Sequence, residues 1–158
     1  MPNDLADIKS YVTGCHMMRD GALERLSDAD LQFVPGGDNL TLGELFKQLG
    51  EHEHSYVRSL ITLKQDWNYR NDAPGLATSL TQLKHWFAQL DQQMQDVIDH
   101  LNESDLDKSV DRTNGSIRPV LSQLDIYTQV YLIFLGKVVI YFKAMRKPLP
   151  PSIAEYIG

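Results

Sequence analysis

Gln48, His52 and Glu53 come nearest to a reactive set in this 158-residue chain. Gln48 and His52 are four residues apart, so on a helix their side chains share one face. With Leu42, Leu45, Leu49, Tyr56 and Leu60 as the buried stripe, His52 lies near its edge. Imidazole and carboxylate groups bind divalent transition metals, so His52 with a carboxylate, joined by His16, is one route to a metal site. These histidines lack the paired spacing of a strong zinc motif, and a cleft-lining or hydrogen-bonded structural histidine is the plainer reading. Glu53 falls near the centre of the apolar stripe. A bare carboxylate there is costly, so it needs a partner or must hold a proton. It is either a general acid or base in a cleft, or a structural group bonded to Tyr, Arg or backbone across the core.

The remaining chemistry-bearing residues read more simply. His54 points to the polar side, and His85 and His100 flank a packing seam on the surface. Cys15 is the sole cysteine, which excludes an intrachain disulfide and a cysteine metal cluster. Its neighbours are apolar, so it reads as an inert core thiol. The formal net charge of −6 argues against broad attraction to phosphate backbones, and no nucleic-acid partner is expected. Lys137, Lys143, Arg146 and Lys147 read as cations complementing a helix C-terminus. The first residues, Met-Pro-Asn-Asp-Leu-Ala-Asp, lack the basic start and apolar run of a signal peptide. The run from Ile126 to Phe142 is interrupted by Thr128, Gln129, Gly136 and Lys137, short of the ~20 apolar residues of a spanning helix. A cytoplasmic protein with no membrane partner is the expectation.

Four helices must position these groups, in one domain spanning residues 1–158. The first runs over 5–26, with Leu5, Ile8, Val12, Cys15, Ala22 and Leu26 on one stripe. Ser27-Asp-Ala-Asp30 and Pro35-Gly-Gly-Asp38 break the chain. Thr41, with Glu44 three residues on, forms a capping box for a second helix over 41–64. Asn71-Asp-Ala-Pro-Gly75 breaks it again, in a connection long enough to cross the bundle end. Ser79 and Gln82 then start a third helix over 79–102. Leu83, Leu90, Val97 and Leu101 are expected to be buried together along its seam. Pro119 suits the first turn of a fourth helix over 119–146, which Pro148, Pro150 and Pro151 stop. Helices of matching length predict an all-α four-helix bundle, without a convincing strand.

The fourth helix is apolar on two sides. Leu124, Tyr131, Leu135, Val138 and Phe142 form one stripe; Ile126, Val130, Ile133, Phe134, Ile140 and Tyr141 form another. The core covers one. A second subunit covers the other, giving a homodimer, unless the neighbouring helices and the loop 103–118 suffice.

The order of these parts resembles the DinB-like family of four-helix bundles. Leu26-Ser-Asp28 and Val34-Pro35 match its first turn and loop, and Thr41-Leu-Gly-Glu-Leu45 matches its second-helix start. Val130-Tyr-Leu-Ile-Phe134-Leu-Gly136-Lys137, then Tyr141-Phe-Lys143 and Pro148-Leu-Pro-Pro151, match its last helix and exit. The resemblance covers nearly the whole chain and implies a bundle with a long crossover connection. It also places the family's three metal-binding histidines on Gln48, Val130 and Phe134, of which two have no lone pair to offer. No metal and no other cofactor is then expected. Gln48, His52, Glu53, Val130 and Phe134 become candidates for a ligand cleft between the second and fourth helices, with Phe134 filling part of the metal's volume. The resemblance thus implies a metal-free, non-catalytic module that binds a small apolar ligand or a partner. The alternative is a thiol transferase-like enzyme of that family, metal-independent or with a site relocated around Gln48, His52 and Glu53.

Overall fold

In the computed structural model, which describes residues 5–157, four long helices surround one core. They are α1 (Leu5–Leu23), α2 (Leu42–Thr62), α3 (Leu80–His100) and α4 (Val120–Ala144). Each lies within three residues of the predicted span at either end. Thr41 caps α2 as expected: its hydroxyl accepts from the Glu44 amide while the Glu44 carboxylate accepts from the Thr41 amide. Ser79 caps α3 through its own hydroxyl alone.

α1 packs on α3 and α4, and α2 packs on α3 and α4. Neighbours round the bundle therefore run α1, α3, α2, α4. The segments that cross the bundle are 24–41 and 101–119, whereas the α2–α3 connection joins adjacent helices. Gly43 explains how that connection settles: a Cβ there would stand 1.7 Å from the Ala77 carbonyl oxygen. Gly50 does the same for α2 against α3, since its missing Cβ makes room for the Trp86 ring.

Besides that connection, expected to cross the bundle end, three features depart from the expectation. The loop 103–118 contains a short antiparallel hairpin, β1 (Ser109–Asp111) and β2 (Ile117–Pro119). Three-residue strands carry too little alternation to be read from sequence. β1 is anchored by the chain leaving α2, where the Gln65 amide donates to Asp111 O and the Asp111 amide to Leu63 O. The prolines that end α4 also start a short helix, α5 (Pro151–Ile157), with Pro151 in its first turn. The α3 seam is Leu83, Phe87, Leu90, Met94 and Ile98, with Val97 and Leu101 only partly buried. A straight helix drifts about 20° per heptad, so a strict repeat from Leu83 walks off the core face and Ile98 replaces Val97.

Candidate functional site

The core of the bundle holds a polar ring drawn from all four long helices. α1 supplies His16 and Arg19, three residues apart and on one face; α2 supplies Glu53; α3 supplies Asp91. α4 supplies Tyr127 and Tyr131, a turn apart. The Arg19 guanidinium donates to both Asp91 oxygens, at 2.8 and 2.6 Å, and to the Tyr131 hydroxyl at 2.6 Å. Tyr131 in turn donates to Glu53 Oε2 at 2.8 Å. On the other side, His16 Nδ1 lies 3.1 Å from Asp91 Oδ1, and Nε2 lies 2.6 Å from the Tyr127 hydroxyl.

Burial sets the protonation of this ring. Glu53 is fully buried, and loss of solvent, helped by Asp91 and opposed by Arg19 and Tyr131, pushes its carboxyl up to about 8. Burial also lowers His16 to about 4, so the imidazole is neutral at pH 7 and its contact with Glu53 is not an ion pair. Asp91 can only accept, which assigns the imidazole proton to Nδ1 and leaves Nε2 to accept from Tyr127. Both tyrosines are held well above the usual phenol range, first by burial.

One atom is left over. Glu53 Oε1 is buried without a hydrogen bond; it faces His16 Nε2 at 3.3 Å, and its carboxyl interacts with the Tyr127 hydroxyl. A proton on Oε1 makes it a donor and closes the ring through Tyr127, His16, Asp91, Arg19 and Tyr131 back to Oε2. Every polar group then has a partner.

His16, Glu53 and Asp91 are the group among the described residues whose donor atoms lie close enough, within 4.8 Å of one another, to share a cation. Their surroundings suit a proton better. Arg19 occupies both Asp91 oxygens, both imidazole nitrogens are engaged, and a dication there would sit against the guanidinium.

The predicted cleft residues divide between two environments. Gln48 and His52 line a cleft of about 180 Å³ with Glu51, Trp67, Tyr69 and Arg70. His52 packs its ring on Phe134 at 5.5 Å and on Trp67 at 6.3 Å, and burial lowers its basicity. Phe134 is buried in the core and Val130 packs partly against it; neither lines the cleft. The cavity beside Gln48 and His52, expected to be apolar, is mixed in character: the Trp67 and Tyr69 rings share its walls with polar side chains. Glu53, about 100° further round α2, turns away into the ring. A second internal network closes the other end of α2: Gln123 donates to Ser59 and Gln65, and Arg112 donates to Gln123 and Tyr56.

An apolar groove of about 600 Å³ runs between α1, α4 and α5. Cys15, Met18, Leu135, Val139, Ile153 and Tyr156 line it, with Gly14 and Gly136 at its edge. Burial, reinforced by the Glu53 charge, pushes the Cys15 thiol up to about 11, so it faces the groove as a neutral thiol and not as a nucleophile. The wider hollow beside the α2 C-terminus, about 710 Å³, is lined mostly by polar and charged side chains such as Arg58, Lys64 and Asp66.

Sequence reasoning found Glu53 and His16 and missed Arg19, Asp91, both tyrosines and the groove. A signal existed for Arg19: it continues the α1 stripe between Cys15 and Ala22, where an unpaired cation is as costly as Glu53 is on α2. The groove depends on α5, whose seven residues carry no readable pattern.

The chain is similar to known proteins over most of its length. A family model described as the DinB superfamily matches residues 13–133. A DinB-like protein from Bacillus subtilis, YjoA, has a solved structure that superposes with a TM-score of 0.75 at 16% identity, covering 91% of this chain and 95% of that one. No curated protein matches.

Proposed function

This chain belongs to the DinB superfamily, and from that premise we infer that it is a non-catalytic member that binds a small apolar ligand in the α1–α4–α5 groove. The groove itself carries the reading. Its volume, about 600 Å³, falls within the range of small-ligand pockets, and apolar side chains dominate its walls. Two further observations favour binding over catalysis. The family resemblance sets the metal-binding histidines at Gln48, Val130 and Phe134; valine and phenylalanine offer no lone pair, and Phe134 is packed in the core, which supports a metal-free reading. The groups with shifted acidity, Glu53 and His16, are held by other members of the ring, His16 by Asp91 and Tyr127 and Glu53 by Tyr131.

Gly14 supplies the test. A Cβ at Gly14, a groove-lining position, meets nothing within 4 Å, so Gly14→Leu adds apolar bulk at the groove wall. Wild-type protein should bind the fluorescent apolar probe anilinonaphthalene sulfonate saturably. Gly14→Leu should weaken that binding by about tenfold, roughly 1.4 kcal/mol, with no fall in melting temperature. Unchanged affinity in a folded Gly14→Leu variant would remove the groove as the site.

A further inference from the structure

We propose that the outer face of α4 is the docking surface for a second copy of this chain, crossing antiparallel to the first. α4 turns one side to the core and leaves Leu132, Ile133 and Ile140 at 51%, 61% and 57% exposure. These three sit on one side of the helix with Gln129, Gly136 and Lys143, which are also exposed. A Cβ at Gly136 would meet nothing within 4 Å, so a second helix can approach the backbone closely at the middle of the face.

The charges along α4 select the occupant and its direction. The N-terminal half has one acidic residue, Asp125, and no basic one; the C-terminal half has Lys137 and Lys143 and no acidic one. No ion pair engages these three among the described residues: Asp125 accepts from the Gln129 amide, and Lys137 lies over the Phe134 ring at 4.9 Å. A two-fold axis between Ile133 and Gly136 sets Asp125 of each copy within a turn of Lys143 of the other. The same axis packs Leu132 and Ile133 against the opposite Gly136 and Ile140. A parallel arrangement would instead face lysine with lysine. One patch meeting itself is the isologous contact of a closed dimer.

The inference stands on α4's outer face and not on the ligand reading, so the two can fail separately. Sedimentation velocity at tens of micromolar should show a wild-type dimer, and Gly14→Leu should remain one. The pair Ile133→Glu and Ile140→Glu, at exposed positions, should give a folded monomer with the helical circular dichroism of the wild type. Asp125→Lys alone, and Lys143→Asp alone, should each raise the dimer Kd by at least about tenfold, and the two together should recover most of the loss. A wild-type monomer overturns the proposal, as does a monomer that floats with phosphatidylcholine vesicles through this face. A dimer that survives Ile133→Glu/Ile140→Glu does so too, and a double charge swap no better than either single one refutes the antiparallel crossing.

Discussion

At the scale of the residue, the protein rests on a carboxyl group that is protonated when folded. Glu53 is raised to about 8 and His16 lowered to about 4, and the two pull stability in opposite directions with pH. A raised carboxyl holds its proton in the folded state after the unfolded chain has released it, so stability falls as pH rises towards about 8. A lowered histidine takes up a proton in the unfolded chain first, so stability rises from pH 4 to the ordinary histidine range near 6.5. The two slopes offset each other below about 6.5, leaving the Glu53 slope alone above it. Wild-type protein should therefore lose up to about 1.4 kcal/mol per pH unit between about 6.5 and 8 relative to Glu53→Gln, which mimics the protonated carboxyl and cannot titrate. Chemical denaturation of both proteins across that range reads the difference. Parallel curves would mean that Glu53 is ionised in the fold. The need for a partner or a proton at Glu53 was legible, because a charge sat on an apolar stripe. Asp91, beside Leu90 on a mostly polar helix, carried no such mark.

The elements were legible wherever local chemistry decides them. The Thr41–Glu44 box, the Pro119 start and the proline exit after α4 set helix ends that tertiary packing left nearly unchanged. Long-range effects were less visible. The hairpin depends on pairing with the chain leaving α2, and the α3 seam depends on how fast a straight helix turns away from its partners. That seam gives a direct comparison. Leu90→Ala, at a fully packed position, should cost about 2–5 kcal/mol. Val97→Ala, only partly buried, should cost less than about 1 kcal/mol, because the space it vacates opens to solvent. Urea midpoints settle the order; equal losses would restore the strict heptad seam.

The whole molecule joins a polar-ringed core to two apolar outer features. Polar groups inside the bundle pair with each other across all four helices, which fixes one arrangement of the core, and the ring reaches the surface at a pocket of about 200 Å³ lined by Arg19 and Asp91. The groove and the α4 face carry much of the exposed apolar surface, and they adjoin along Leu132 and Gly136. α4 also reaches the length and mean hydropathy of a spanning helix, with half of that stretch buried inside the bundle as the core helix of this fold. The fold was legible from caps, turns and spacing. The groove was not, since it forms only where α5 folds back beside α1 and α4. A backbone-amide NMR titration of the wild-type protein with anilinonaphthalene sulfonate tests the binding account most directly. Saturable shifts confined to Gly14, Cys15, Gly136, Ile153 and their neighbours are the expected result. Shifts centred instead on Gln48, His52 and Trp67 would contradict it and place the ligand in the cleft those residues line.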